Sequence, residues 1–516
     1  MNLTTDAWIP IVWDDGKPGT VSLREAFERG HEIQDLALRP HERIALTRLL
    51  ICIAQAAIDG PRDYDDWKVC QLRIAPSAVQ YLNHWRQAFE LFGKGQRFLQ
   101  VSNLKRTANA EDEGEGHLTS KLDLALATGN NSTLFDNAGG AARDFTPAQL
   151  ALMLVTFQCF SPGGRIGVAL WDGKQTLGKG SSNHAPCLAG GMLHTLLRGE
   201  DLLATLHSNL LNKMQAEQLF GGECWGRPVW ELMPQSPGVA MAVQNANHTY
   251  LGRLVPLARL IWVEDGGSLI LANGLEYPSY TGGWREPSAT IITRTIQGHP
   301  TRVALPASIE KAAWRELHAM TVKAVGPNPG GAAALQNISD DETAFDLWVG
   351  GLVANKAKLV DTTESVFHVP AAMLSETSQR LYEDGVRYAE AVESRLRWAI
   401  SVYHKELGDN LDRPEMKGRR LQVQRSATAQ FWTDIEQAVA RLLEVAAAPG
   451  SLGLRHEWRG TVWGQSVWRT ARAACERACP HKTARQIRAY ALGLAALLSA
   501  PAGQAEQSEP EKEVES

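Results

Sequence analysis

Long apolar runs are missing from this sequence. No stretch of 18 uncharged apolar residues occurs, and no basic segment precedes an apolar one near Met1. The first absence excludes a membrane-spanning helix, and the second argues against a secretory signal peptide. Cysteine is scarce too: the seven cysteines are an odd number scattered between Cys52 and Cys479, which favours reduced thiols over a disulfide framework. We therefore expect a soluble cytoplasmic protein with no membrane partner.

Signatures of catalysis are missing as well. The sequence contains no HExxH motif, no GxSxG motif and no nuclease-like cluster of His and Asp, and its 14 histidines are scattered singly. Cys475, Cys479 and His481 lie along one predicted helix and its end, with no fourth ligand nearby, whereas a structural zinc site needs four. We predict that the chain is not an enzyme and has no catalytic residue, metal or cofactor. An uncharacterised enzyme with a cleft between its domains is the alternative.

Charge is unevenly distributed along the chain. The net charge is −5, but 14 basic and 6 acidic residues lie between Arg413 and Ala500. The last 13 residues, 504–516, contain five glutamates and one lysine. Because nucleic acid responds to local rather than total charge, any electrostatic footprint belongs to the region before this acidic tail.

The length of 516 residues exceeds what one hydrophobic core usually serves, so we expect more than one domain. Residues 1–370 mix strand-like and helical patterns and predict a large α/β domain. Residues 371–500 contain four helical segments with short connections, which favour an antiparallel four-helix bundle. Residues 501–516 are predicted to be an acidic disordered tail. The expected fold class is therefore α+β.

Several elements are predictable from periodicity and turn residues. Helices are expected from Pro40 to Asp59, around residues 77–93, from Thr146 to Ser161, and as one amphipathic helix over 201–221. Two apolar runs on either side of Asp265-Gly266-Gly267 predict a β-hairpin.

The stretch 346–370 organises the rest of the chain. An apolar run ends in Gly350-Gly351, the tripeptide Asn355-Lys356-Ala357 follows, and a second β-branched run comes next. A glycine pair marks backbone that turns sharply or approaches something closely. An amide and a cation just past it suit a polyanion whose base edges are read. A surface loop between two core segments is the alternative.

Three further sets of residues are candidates for binding. Leu134 and Phe135 are isolated among turn formers, so they dock on a partner or plug the protein's own core. The glycine-rich loop at 178–182 exposes backbone N–H groups to phosphates or to a groove edge, although it lacks the spacing of a nucleotide-binding P-loop. A basic cluster is either a phosphate track or a solvated face, and its members are Arg413, Lys417, Arg419, Arg420 and Arg425.

These stretches, in this order, resemble one family. The opening NLTTDAWIPIVWDDG, SPGGRIG at 161–167 and WREPS at 284–288 accompany the glycine pair and Asn355-Lys356-Ala357. The opening matches at Asn2, Leu3, Trp8, Ile9, Pro10 and Val12. Together they resemble the large subunit of the type I-E CRISPR surveillance complex, Cascade (the CasA family), over most of residues 1–500. Gly350, Gly351, Asn355 and Ala357 match that family's wedge, but Lys356 stands where the family has Gln.

The resemblance implies a non-catalytic subunit that works with the other Cascade subunits and crRNA. Such a subunit recognises the protospacer-adjacent motif (PAM) in double-stranded target DNA, helps to unwind it for R-loop formation and recruits the helicase-nuclease.

The resemblance also assigns roles to residues of this sequence. It implies a wedge at Asn355 and Lys356 and a loop at Leu134 and Phe135 that anchors the subunit in the crRNA-bearing backbone. A PAM-contacting glycine loop is implied at Gly178, Lys179, Gly180 and Ser181. The family also uses a lysine finger, but no lysine occurs between Lys213 and Lys311, so Arg285 or Arg294 would take its place.

Overall fold

The computed structural model describes residues 1–107, 117–126, 143–164, 166–178, 185–221, 224–264, 266–277, 286–324, 330–339, 341–355, 358–408, 414–448, 450 and 457–499. The chain divides into two compact units, Met1–Leu374 and Ser375–Ser516. The first mixes helices with strands and the second is helical where it is described, so the predicted α+β class is confirmed. Among the described helices, none combines the length and the apolar character that crossing a membrane requires.

The described helices of the first unit include one long buried helix that four others contact. They are α1 (Leu23–Glu28), α2 (Pro40–Ala57), α3 (Tyr64–His84), α4 (Pro147–Phe160), α5 (Leu202–Ser208), α6 (Lys213–Phe220), α7 (Ala240–His248), α8 (Tyr250–Leu254) and α9 (Leu317–Met320). Helix α2 is buried on nearly every side and packs against α3, α4, α5 and α8. It therefore lies at the centre of the core of this unit.

The strands form small antiparallel sheets. They are β1 (Ile9–Trp13), β2 (Pro18–Val21), β3 (Ile33–Leu36), β4 (Leu104–Arg106), β5 (His117–Leu118), β6 (Ala169–Trp171), β7 (Lys174–Gln175), β8 (Leu193–Arg198), β9 (Arg259–Val263), β10 (Ser268–Asn273), β11 (Ile291–Ile296), β12 (His299–Ala304), β13 (Ala344–Asn355) and β14 (Lys358–Pro370). The strand orders are β2-β1-β3, β5-β10-β9, β4-β6-β7, β14-β13-β8 and the two-stranded ribbon β11-β12. The sheet β14-β13-β8 contains the strands of the stretch 346–370.

Three predicted elements are confirmed. Helix α2 matches the expected helix from Pro40, and β9 and β10 pair as the expected hairpin. Helix α4 begins at Thr146 because its hydroxyl accepts from the Gln149 N–H at 3.2 Å while the Gln149 side chain accepts from the Thr146 N–H at 2.9 Å. This reciprocal capping box satisfies two backbone donors that the helix leaves unpaired.

Two predicted helices are wrong in extent. Helix α3 starts at Tyr64, well before residue 77, and continues through Pro76 before it ends at His84. The single helix expected over 201–221 is two helices, α5 and α6. Asn209 breaks it because its side chain donates to and accepts from the backbone of Leu197 in β8, an alternative to helical pairing that Asn side chains favour.

The second unit contains five described helices rather than four. They are α10 (Glu376–Glu406), α11 (Pro414–Glu436), α12 (Val439–Ala447), α13 (Val462–Ala478) and α14 (Ala484–Leu498). The second predicted segment is divided between α11 and α12. Helix α10 contacts α11, α12, α13 and α14, so it is the helix around which this unit packs.

Candidate nucleic-acid interface

Strands β13 and β14 form a long hairpin whose last described pair is Asn355 with Lys358. Residue 356 and residue 357 connect the strands and lie outside the described residues. The predicted wedge residues Asn355 and Lys356 therefore sit at the end of the hairpin in sequence. A register shift between Val353 and Ala354 marks a bulge just before that end, and a bulge bends and twists the strand locally.

The glycine pair lies inside strand β13, so the predicted sharp turn at this position is wrong. Gly350 pairs with Glu364 and Gly351 pairs with Thr363 in an unbroken ladder. The other half of the expectation, close approach, is confirmed. A Cβ at residue 350 would lie 2.4 Å from the Trp348 ring, and one at residue 351 would lie 2.9 Å from the Met192 carbonyl oxygen. The glycines therefore serve packing within the hairpin rather than a change of direction.

The face of β13 that carries Gly350 is fixed to the core. The Trp348 ring covers Gly350, and its Nε1 donates to Glu364 Oε1 at 2.6 Å across the hairpin. Arg43 of α2 lies over the same ring, 5.7 Å from its centroid, and its Nε is 3.2 Å from Glu364 Oε1. These contacts fix the hairpin to helix α2 at Trp348 and Glu364.

The chain segment that follows the predicted glycine loop approaches the hairpin near its end. A turn of 3-10 helix spans Pro186–Gly191, and a Cβ at Gly191 would lie 3.7 Å from both the Ala354 N and the Leu352 carbonyl oxygen. Gly178 is the one predicted loop residue that the structure describes, and a Cβ there would meet the Val168 side chain at 2.6 Å. Gly178 is therefore needed for packing whatever else the loop contacts.

The remaining predicted site residues fall on parts of the chain that the structure does not describe. They are Lys179, Gly180 and Ser181 of the glycine loop, Arg285, the apolar pair Leu134 and Phe135, Lys356, and Arg413 of the basic cluster. Their roles stay predictions.

The described part of the basic cluster lies on the first turns of α11. Lys417, Arg419 and Arg425 are exposed, and Arg420 is partly buried. None of the four has a carboxylate partner within 4.0 Å among the described residues. The buried side chains of α11 begin only at Ala427, so this half of the helix carries charge rather than core.

The four side chains do not share one face of α11. At 100° per residue, Lys417, Arg420 and Arg425 fall within about 140° of each other, whereas Arg419 is about 160° away from Lys417. The expectation of a single basic bundle face is therefore wrong for Arg419. The positive charge surrounds the start of the helix, because the side chains project on both sides of it.

Packing brings further basic residues to this end of the helical unit. The Tyr403 hydroxyl near the end of α10 donates to the Pro480 carbonyl oxygen at 2.6 Å, and Arg485 at the start of α14 donates to the Leu407 carbonyl oxygen. The ends of α10 and α13 and the start of α14 therefore meet, and α11 begins eight residues after the end of α10 in sequence. We call the resulting set the basic end, and its described members are Lys405, Lys417, Arg419, Arg420, Lys482 and Arg485. Sequence reasoning missed Lys405, Lys482 and Arg485, because only the pairing of α10 with α14 reveals them.

Two of the stretches that resemble the family, 161–167 and 284–288, are each bound by a buried arginine. Arg48 of α2 is bridged to Glu286 of the stretch 284–288, and it also donates to the carbonyl oxygens of Leu254 at 3.0 Å and Arg253 at 2.8 Å. Both members of the pair are at most 3% exposed. Burial by itself raises the pKa of Glu286, but the Arg48 charge holds that pKa below its usual value. These residues position backbone rather than perform chemistry.

Arg259 plays the same part for the stretch 161–167. Its Nε donates to the Ser161 hydroxyl at 3.0 Å and its Nη2 donates to the Pro162 carbonyl oxygen at 2.7 Å. Burial lowers the pKa of this guanidinium to about 10. Within the described residues, no three His, Cys, Asp or Glu side chains converge as metal ligands do.

Comparison with known proteins gives a consistent set of relatives. The family model for CRISPR-associated protein Cse1 matches residues 2–474. A curated relative from Thermus thermophilus, CRISPR-associated protein CasA/Cse1, is 27% identical over 502 residues, which cover 91% of this chain and 92% of the relative.

Solved structures show the same fold. The crystal structure of CasA from Thermus thermophilus has a TM-score of 0.71 at 22% identity and covers 96% of this chain and 98% of that one. The Cse1 structure from Acidimicrobium ferrooxidans has a TM-score of 0.71 at 19% identity, with 96% of each chain covered. A chain of a structure described as a CRISPR RNA-guided surveillance complex has a TM-score of 0.70 at 16% identity, over 97% of this chain and 99% of that one.

Proposed function

Because the chain belongs to the family of CRISPR-associated protein Cse1, we propose that it is a non-catalytic subunit of a crRNA-guided antiviral complex. In this role it recognises the PAM in double-stranded target DNA, helps to unwind the duplex for R-loop formation, and recruits the helicase-nuclease. The observation that supports the proposal is the hairpin β13-β14, which Trp348 and Arg43 fix to the core and whose last described pair contains Asn355.

The physical division of labour follows from how RNA-guided complexes read sequence. Pairing between guide and target strand reads the long sequence, so the protein needs to read only a short motif and open the first base pairs. Opening them costs a few kcal/mol of stacking, and a side chain inserted at the fork holds the strands apart. Lys356 has no acceptor, unlike glutamine, so at this position it favours strand separation over base selectivity.

Other regions complete the proposed DNA path. The loop at Gly178, Lys179, Gly180 and Ser181 contacts the PAM through its backbone, and Arg285 supplies the cation that the family takes from lysine. The basic end tracks phosphates of the target or displaced strand. Its exposed lysines and Arg419 have no carboxylate partners among the described residues, which leaves their charge available to an external anion.

The wedge is tested by the double variant Asn355→Ala with Lys356→Ala. We expect it to abolish seed-duplex formation on fully paired DNA, while binding to DNA already mismatched beside the PAM is retained. Strand opening by the assembled complex, followed with a fluorophore and quencher on opposite strands, measures this. The matched control is Gln297→Ala with His299→Ala at the exposed tip of the β11-β12 ribbon. Normal opening of paired DNA by the double variant would show that the wedge assignment is wrong.

The anchoring loop is tested by Leu134→Ala with Phe135→Ala. An apolar pair that docks on a partner contributes to assembly and not to the core of its own chain, so we expect weaker incorporation into the complex with an unchanged melting temperature of the free subunit. The control is Val69→Ala with Leu72→Ala, an apolar pair on α3 that is 64% and 89% exposed. A lowered melting temperature with normal assembly would instead identify Leu134 and Phe135 as core residues.

A further inference from the structure

A pocket of about 150 Å³ opens beside the stem of the β13-β14 hairpin. It is much roomier than two other cavities of the first unit, of about 20 and 30 Å³. At about 30 Å³ per water molecule it holds roughly five waters, which is more room than a single ion needs. Its lining comprises Leu193, Arg294, Leu305, Pro306, Ser308, Lys311, Ala313, Glu316 and Thr363.

The pocket lies beside Gly351 of β13. Leu193 in β8 and Thr363 in β14 are the two cross-strand partners of Gly351, and both line the pocket. Directly opposed residues of an antiparallel sheet project from the same face, so the Leu193 and Thr363 side chains lie on one face of the sheet, on either side of Gly351. The space over Gly351 itself is occupied, because a Cβ there would lie 2.9 Å from the Met192 carbonyl oxygen and 3.0 Å from the Ala307 Cβ.

The far wall is held in place by backbone pairing. The Leu193 N–H donates to the Leu305 carbonyl oxygen at 2.8 Å, and Pro306 bridges to Met192. Beyond it, the Ser308 hydroxyl accepts from the Glu310 and Lys311 N–H groups at 3.1 Å each, which shapes the turn that carries Lys311. Leu305 and Pro306 therefore give this wall an apolar surface that is present before any ligand arrives.

The polar groups of the pocket match the edge of a nucleobase with a phosphate beside it. Lys311 and Glu316 form an ion pair, so a donor and an acceptor stand side by side. The Arg294 side chain is exposed and has no hydrogen bond or ion pair to another described residue, so its fork is available to a phosphate. Sites that receive an unstacked base combine apolar walls with hydrogen bonds to its Watson–Crick edge.

We propose that this pocket receives a single unpaired nucleotide of the opened DNA, with its base between Leu193, Leu305 and Pro306 and its phosphate at Arg294. The inference rests on the proposed function, because the hairpin must stand at the DNA fork. Asn355, in the last described pair of the hairpin, lies four residues beyond Gly351, which corresponds to about 14 Å of strand. That equals about four stacked nucleotides at 3.4 Å each, so the captured base lies a few positions from the point of strand separation.

The test is an abasic scan of forked DNA with the assembled complex. Removing one base at a time from each unpaired strand is expected to weaken binding by about fivefold or more at one position and little elsewhere. The same position should lose its effect in Arg294→Ala and in Thr363→Phe, which fills the pocket. Arg302→Ala is the matched control, because Arg302 pairs with Thr293 while Arg294 pairs with Thr301, so the two arginines lie on opposite faces of one ribbon.

Two results would overturn the proposal. One is a flat abasic scan in a complex that opens paired DNA normally, which leaves the proposed function intact and removes only the pocket's role. The other is an equal loss in Arg294→Ala and Arg302→Ala, which reduces Arg294 to general surface charge. Failure of the complex to bind or open any PAM-containing duplex would instead reject the proposed function. Deoxynucleoside monophosphate added alone distinguishes the sources, since capture from a strand predicts that it does not compete at micromolar concentration.

Discussion

Replacing Arg48 by methionine is expected to lower the free energy of unfolding of the first unit by about 3–5 kcal/mol. The substitution leaves the Glu286 carboxylate inside the core without its cation, and the carbonyl oxygens of Leu254 and Arg253 lose their donors. An uncompensated buried charge is one of the few changes that reach this size. Urea unfolding of the full chain, followed by tryptophan fluorescence, measures the loss.

Controls separate this effect from the loss of any arginine. Arg24→Met removes one member of an exposed pair 2.7 Å apart on α1 and should change stability by less than about 0.5 kcal/mol. Arg48→Met with Glu286→Leu removes both buried charges and should recover most of the loss. Equal effects of Arg48→Met and Arg24→Met would contradict the structural role of the buried pair.

The difference in stability between wild type and Arg48→Met should also depend on pH, in a direction that the pKa of Glu286 determines. In the wild type, the lowered pKa of Glu286 means that its stabilisation is present above the unfolded-state pKa and is lost as pH falls through the folded value. Without Arg48, burial raises the pKa of Glu286, so the carboxyl is neutralised more readily. The difference in stability between wild type and Arg48→Met should therefore begin to shrink above the unfolded-state pKa of about 4.3, where the variant's carboxyl is neutralised, and should shrink further below it, where the wild type loses its stabilisation.

Neutralising the basic end should make DNA binding less sensitive to salt. For Lys405, Lys417, Arg419 and Lys482 replaced together by glutamine, four lost phosphate contacts reduce the slope of log affinity against log salt by about 3 to 4. Between 50 and 200 mM salt, the variant should therefore lose about a hundredfold less affinity than the wild type loses. Binding should weaken equally for all target sequences, because phosphates carry no sequence information.

The comparison variant changes the same kind of charge at the opposite end of α10. Arg380→Gln with Arg387→Gln removes two exposed arginines that already pair with Glu376 and Glu383. Per charge removed, its salt slope should change far less than that of the basic-end variant. Identical slopes per charge would show that the basic end is an ordinary solvated surface.

Local signals in the sequence were enough for elements that depend on local interactions. Thr146 marks the start of α4, where it forms a cap with Gln149. The turn residues before Ser268 predict the β9-β10 hairpin. The start of α3 was not predicted, and the helix continues through Pro76, a residue that usually ends or kinks a helix. The break at Asn209 depends on its bonds to Leu197 in β8, which no local pattern contains.

The candidate site shows the same division between local and distant causes. That Gly350 and Gly351 need close approach was predictable from residue type, but what approaches them was not. Trp348, two residues earlier, covers one glycine, while Met192 and Ala307, each more than forty residues away in sequence, crowd the other. The pocket beside Gly351 is built by β8, β14 and the segment after β12, so it exists only once distant strands have met.

The pairing of β8 with β13 also bears on how the chain is made. Register joins Arg198 to Asp346 and Leu193 to Gly351, so β8 leaves the ribosome long before its partner strand has been translated. At 5–20 residues per second, the intervening stretch of roughly 150 residues takes about 8–30 s. During that interval the apolar edge of β8 has no strand to pair with, and such an edge is open to aggregation. The nascent chain should therefore aggregate most readily before β13 has emerged.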